Sequence, residues 1–206
     1  MLFRSEEISG DVKLADTTLV FSPISFRHKK TKFILRGKAT IKPDRQVEAQ
    51  TVLAVKDTTI LDIAGILSRD SLAISADIPS FQLNILYPLL SLPAGITAGI
   101  RGEINVTGNP DSPALNGILD IQDITVAESF SAEPITGGVI GLSFADKQIS
   151  LDTLRLSQKK GFFTASGRAV YENNIFGNLS FRADATTFRI AKDDLFDFQI
   201  KTLSTT

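Results

Sequence analysis

The chain has one histidine, His28, set in the run Arg27-His28-Lys29-Lys30-Thr31-Lys32. A zinc site needs three or four converging Cys, His or carboxylate ligands. With no cysteine and no second histidine, such a set does not gather around His28, which reads as an exposed residue of a basic loop. A Ser-His-acid triad meets the same obstacle: Ser91, Ser112 and Ser166 stand outside any G-x-S-x-G setting, and His28 is the one base they could share. The acidic pairs Glu6-Glu7 and Asp193-Asp194 are sequence neighbours. In a strand neighbours point to opposite faces, so neither pair converges as acid–base catalysis requires. Gly137-Gly138 with Gly141 lacks the Gly-Lys-Ser/Thr ending of a phosphate loop. Asn105 and Asn178 head N-x-Ser/Thr triplets inside strand-like segments, a weak setting for sugar attachment. These residues argue against an enzyme and imply neither a metal nor an organic cofactor.

The elements that would hold any site are written in the apolar pattern. Val12-Leu14, Leu19-Phe21, Ile24-Phe26, Phe33-Leu35, Leu53-Val55, Ile104-Val106, Leu119-Ile121, Ile149-Leu151 and Leu154-Leu156 are apolar at i and i+2. That period belongs to strands with one apolar and one wet face. Turn signals fall between them at Ala15-Asp16, Lys42-Pro43-Asp44, Asn109-Pro110-Asp111 and Glu172-Asn173-Asn174. The expectation is an all-β, mostly antiparallel chain. Thr59–Leu67 and Gln82–Leu90 place apolar residues near helical spacing and predict one or two short helices.

Composition narrows the partners. The 206 residues are 43% hydrophobic, with 14 Phe, no Trp and a net charge of −1. Phe has no polar handle and suits a dry surface. The balanced charge gives no field to hold nucleic acid, and none is expected as a partner. MLFRSEEISG turns polar before an apolar h-region forms, so it does not read as a secretory signal, and no run reaches the roughly 20 apolar residues of a spanning helix.

The chain repeats itself. LVFSPISFRHKKTKFILRGKATI from Leu19 lies without a gap over ISLDTLRLSQKKGFFTASGRAVY from Ile149, an offset of 130 residues. It pairs Phe21 with Leu151, Phe26 with Leu156, Lys29-Lys30 with Lys159-Lys160, Phe33 with Phe163 and Gly37 with Gly167. Upstream, Leu14-Ala15-Asp16 matches Phe144-Ala145-Asp146. Both copies break parity at one place, between Phe21 and Ile24 and between Leu151 and Leu154, which predicts a shared bulge or turn. The reading is one elongated domain in three segments: a strand meander at 1–76, a short helical segment plus a hairpin at 77–130, and a second, truncated meander at 131–206. Each unit would stack only on its neighbours. In the middle segment Ile100, Gly102, Ile104 and Val106 share a face, as do Leu115, Gly117, Leu119 and Ile121. Around Gly108-Asn109-Pro110-Asp111 they predict a β-hairpin with a longer loop. A strand glycine marks a bend or a close backbone approach, so Gly37, Gly102, Gly117 and Gly167 are the candidate bending positions.

The spelling FQLNILYPLLSLPAGITAGIRGEINVTGNPDSPALNGILDIQDITV, from Phe81 to Val126, resembles the AsmA-like superfamily and most closely its TamB branch. The family order is an apolar segment, an alternating strand, a glycine turn, a proline, and a strand spelled leucine-x-glycine-x-leucine. EPITGGVIGLSFADKQISLDTLRLSQKKGFFTASGRAV, from Glu133 to Val170, resembles the meander that follows. Relative to full-length members the N-terminal anchor and the C-terminal domain are missing, which makes the chain an expected internal fragment. The resemblance implies a long sheet curled into an open trough in the periplasm. It implies a bridge that shields phospholipid acyl chains between the inner membrane and the outer membrane, with an outer-membrane barrel as partner. A related family role is assembly of outer-membrane barrel proteins. A purely structural β-solenoid is the remaining alternative.

The face that would meet lipid carries Phe21, Phe26, Phe33, Leu35, Ile104, Val106, Leu119, Ile121, Phe144, Leu151, Leu156 and Phe163. By alternation alone this face packs against protein in a sandwich or barrel; the resemblance implies that it stays open. Lys29, Lys30, Lys159 and Lys160 read first as solvated, edge-protecting loop residues, and second as a rim for phosphate head groups.

Overall fold

Half-apolar strands separated by short turns fold back on the strand before them, because two-residue loops join antiparallel neighbours. The computed structural model describes residues 7–28, 31–87, 95–127, 133–172, 175–192 and 197–205. They form β1 (Glu7–Ser9), β2 (Val12–Ala15), β3 (Thr18–His28), β4 (Thr31–Ile41), β5 (Val47–Val55), β6 (Thr58–Leu67) and β7 (Leu72–Gln82). After the 3₁₀ turn Leu83–Leu86 come β8 (Ile96–Asn109), β9 (Ser112–Val126), β10 (Gly137–Asp146), β11 (Gln148–Ser157), β12 (Phe162–Glu172), β13 (Ile175–Lys192) and β14 (Asp197–Thr205). All fourteen strands lie in a single sheet in sequence order, with β1 and β2 both pairing β3. Every pairing is antiparallel. The edges β1–β2 and β14 do not pair with each other, so the sheet is not closed. At about 4.8 Å per strand it runs about 60 Å from edge to edge.

The turns follow from their residues. Asp16 (φ 51°) and Asp146 (φ 55°), equivalent positions of the repeat, each open a two-residue hairpin loop, and Lys56 (φ 56°) does the same between β5 and β6. Positive φ at the first loop residue gives the mirror-image turn that matches strand twist, and Asp tolerates it better than most. The β8–β9 hairpin departs from expectation. Asn109 pairs Ser112, so Pro110-Asp111 makes a tight two-residue loop rather than a longer one. The Asp111 amide donates to Asn109 Oδ1 at 2.8 Å, and this local bond spares the chain extra loop residues.

The shared bulge is present in both copies. Phe21 pairs Gly37 and Ile24 pairs Leu35, and at the equivalent place Leu151 pairs Gly167 and Leu154 pairs Ala165. A third bulge of the same form, which the alternation did not reveal, lies on β7: Ile78 pairs Gly102 and Phe81 pairs Ile100. Bulges on β3, β7 and β11 stand four strands apart, and further one-residue irregularities lie on β6, β9 and β13. The 130-residue repeat relates the bulges of β3 and β11.

One helical expectation is overturned. Thr59–Leu67 lies in strand β6, with Leu61, Ile63, Gly65 and Leu67 opposite Leu53, Thr51, Ala49 and Val47. Outward-facing Ile66 and the irregularity at Ile60 had masked the period of two. In Gln82–Leu90 the described helical part is the 3₁₀ turn Leu83–Leu86; 88–90 lie outside the described residues. The segment boundary 76/77 falls inside β7, so one sheet runs through the three segments.

Little of the molecule is buried. Phe33, Val55, Ile60 and Phe81 form the buried cluster. The chain exposes 13519 Å², against about 9,400 Å² for a compact protein of its mass. A single-layer sheet accounts for the excess.

Candidate functional site

Directly opposed residues of neighbouring strands share a face, so the register traces that face across the sheet. One row runs Gly102–Leu119–Leu142–Leu151–Gly167–Phe181. The next runs Gly37–Thr51–Ile63–Ala76–Ile104–Gly117–Phe144–Ile149–Ala169–Leu179, over ten strands. Extending the register places all twelve sequence candidates on this one face: Phe21, Phe26, Phe33, Leu35, Ile104, Val106, Leu119, Ile121, Phe144, Leu151, Leu156 and Phe163. From β3 to β12, between the turns and outside the bulges, its described side chains include three polar ones, Thr31, Thr51 and Thr58, and no charge.

The opposite face holds the polar set. Arg101 meets Asp120 at 3.2 Å, Arg182 meets Asp184 at 3.4 Å, and Lys42 meets Glu48 at 2.8 Å. The hydrogen bond and charge of Glu48 raise the Lys42 ammonium above its ordinary value, and Lys42 lowers the Glu48 carboxyl below its own. Lys38, Thr40, Lys42, Glu48 and Gln50 rim a surface cleft of about 480 Å³ on this polar side.

The apolar face lacks a covering layer. Phe33 is fully buried, but the other eleven candidates are half-buried. In a sandwich, such residues would be closed off by a second sheet about 10 Å away. Here one sheet carries all the described strands, so the apolar side chains shelter one another, with Ile85 and Leu86 of the 3₁₀ turn packed on them at one place. Phe26 and Phe33 stack across β3–β4 with ring centroids 5.0 Å apart, and Phe163 meets Phe188 across β12–β13 at 5.7 Å.

The four candidate bending glycines all lie on this face. On an ordinary sheet, paired Cβ atoms stand about 4.5–5.5 Å apart. A Cβ at Gly102 would come 2.6 Å from the Ile118 carbonyl oxygen, and one at Gly167 2.6 Å from that of Ser180. Cβ atoms at Gly37 and Gly117 would run into the carbonyl oxygens of Gln50 and Glu103. The neighbouring backbone leans over the apolar side at each place, as a sheet curled toward that side requires. By contrast Gly141, on the polar side, has nothing nearer than 3.8 Å. Gly65 is a further member that the sequence reading missed. Its Cβ would meet Ala73 O at 2.5 Å, and its signal was the same alternation through Ile63 and Leu67. Ile74, Ile78, Phe81 and Leu142 were likewise missed and share the face, as do Leu53 and Ile100 of the alternating pattern.

Lys159 and Lys160 are exposed at the tip of the β11–β12 hairpin, where the Gln158 amide donates to Gly161 O at 2.8 Å. Lys29 and Lys30 lie outside the described residues, as do Asp193-Asp194, Glu6 and the His28 side chain. Among the described residues no three His, Cys, Asp or Glu side chains gather as a metal set, and no helix is long and apolar enough to cross a membrane. No family model matches the chain, and neither a curated protein nor a solved structure matches it.

Proposed function

We propose that this chain is a segment of a bridge-like lipid transport protein of the bacterial cell envelope, similar to the TamB branch of the AsmA-like superfamily. Its apolar face would shield phospholipid acyl chains in the periplasm between inner and outer membrane. The observation that carries the reading is a charge-free apolar face, continuous across ten strands and partly exposed over much of its length. Monomers rarely leave so large an apolar surface uncovered without an occupant. Acyl chains fit it without specific chemistry, since each CH₂ taken from water contributes about 0.8 kcal/mol.

The test is lipid extraction and mass spectrometry on the purified chain beside a Leu119→Asp, Leu142→Asp, Phe144→Asp variant. These three side chains are half-buried, and circular dichroism checks that the variant retains its strands. Phospholipid in the parent and none in the variant is the expected result. A folded, monomeric parent that carries no lipid would sink the reading.

The open β1–β2 edge favours a second reading, assembly of outer-membrane barrel proteins. Ile8, Val12 and Leu14 are exposed there, and a client strand could add to that edge. A photo-crosslinker at Lys13 that captures barrel proteins in cells would support it. Capture of lipid alone would not.

A further inference from the structure

We propose that the 3₁₀ turn Leu83–Leu86 is a built-in occupant of the apolar face, lying where an acyl chain would otherwise lie and giving way to it. This inference rests on the function proposed above. Ile85 and Leu86 pack on the cluster Phe33, Val55, Ile60 and Phe81. Phe33 and Val55 are the largest fully buried side chains of the described residues. Elsewhere the large side chains of the face are mostly only partly buried, the patch around Ala165, Ala183, Ala185 and Phe188 on β12–β13 excepted. The turn thus does at one end of the face what lipid would do along the rest.

The turn is lightly held. Gln82 at its start makes no side-chain capping bond, the first turn has no acid and the last no base, and none of its residues is buried. A four-residue 3₁₀ turn has little stability of its own, so Ile85 and Leu86 supply its hold. An acyl chain would compete for the same area by the same non-directional force. Where two occupants exclude each other, apparent affinity falls by the fraction of molecules in which the turn is down.

The chain has no native cysteine, which allows a clean tether. Lys56 and Asn84 line one cleft of about 160 Å³, so Lys56→Cys with Asn84→Cys would hold the turn down when oxidised. Ile85→Ser with Leu86→Ser would release it. Parinaric acid, which fluoresces in apolar surroundings, is titrated into the parent, the serine variant and the tethered variant, oxidised and reduced. Far-UV circular dichroism and gel filtration check the fold of each. The expected result is a Kd at least about threefold tighter for the serine variant and about threefold weaker for the oxidised tether, returning to the parent value on reduction. Clear binding with equal affinity in all forms would overturn the occupant and leave the groove standing. Weaker binding by the serine variant, with the tether silent, would make the turn part of the site and also overturn it. No binding by any folded form would overturn the groove itself, and this inference with it.

Discussion

Phe144 lies directly opposite Gly117 across β9 and β10, and Gly117 in turn lies opposite Ile104 across β8 and β9. A large side chain thus stands on each side of a bare glycine. The same relation recurs where Phe21 faces Gly37 and where Leu151 and Phe181 flank Gly167. The missing side chain lets the neighbouring backbone close in, and the large neighbour covers the exposed peptide. This is a known way to curl a sheet without opening a hole in its apolar face.

A side chain at Gly117 has nowhere to go. Its φ is +150° and a Cβ would meet the Glu103 carbonyl oxygen. Gly117→Val is expected to lower stability by about 2–4 kcal/mol, through backbone strain and overpacking together. Gly141→Ala, with open space around it, is expected to stay within about 0.5 kcal/mol. Urea midpoints of the two variants check the contrast; equal midpoints would show that the close approach does not constrain the fold.

Burial sets a second contrast. Phe33 is 0% exposed, whereas Ile118 on the polar face is 54% exposed. Phe33→Ala should cost about 3–5 kcal/mol, since it empties the one closed cluster. Ile118→Ala should cost less than about 0.5 kcal/mol. Thermal unfolding of both variants reads the difference directly.

The bulge on β11 makes a geometric prediction. Leu151 and Leu154 are three apart yet share a face, because Asp152 and Thr153 together oppose one residue of β12. Deleting Thr153 restores plain alternation and keeps Leu154 and Leu156 on the apolar side. Deleting Asn105 from regular β8 turns one arm of that strand over. The first deletion should remain folded and lose less than about 2 kcal/mol, and the second should lose more. Denaturant titration ranks them.

The Lys42–Glu48 pair predicts a pH effect of known sign. The lowered carboxyl of Glu48 contributes stability above its ordinary pKa, and that contribution is lost as pH falls through the lowered value. The raised ammonium of Lys42 contributes below its ordinary 10.5, and that contribution is lost as pH rises through the raised value. Both side chains are half-exposed or more, so the energy is small, and the titration itself is the better readout. A carbon-13 NMR titration should place the Glu48 carboxyl below an ordinary glutamate, and Lys42→Met should move it back up. An unshifted carboxyl in the parent would show that the pair does not persist in solution.

Much of the site was legible residue by residue. Period-two alternation put Phe21, Leu35, Ile104, Leu119, Phe144 and Leu151 on one side before any register was known, because strand geometry leaves two faces to choose between. The parity break at Phe21–Ile24 and Leu151–Leu154 identified both bulges. The β7 bulge escaped because Ile78-Pro79-Ser80-Phe81 has no partner at the 130-residue offset. Strand β6 escaped because the irregularity at Ile60 shifts the parity and Ile66 adds an apolar residue off the main face, and the mixture imitates helical spacing.

The sequence by itself determined most of the strands, the apolar face and four of the positions that tolerate no side chain, since these are local properties of alternation and of glycine. Tertiary structure alone decided that the face stays uncovered. Alternation is equally compatible with a sandwich, in which a second sheet buries each of these residues. Whether such a sheet exists depends on which strands pair. Here every strand from β3 onward takes its sequence neighbours as partners, so the fourteen described strands form a single layer and none of them lies over the apolar face.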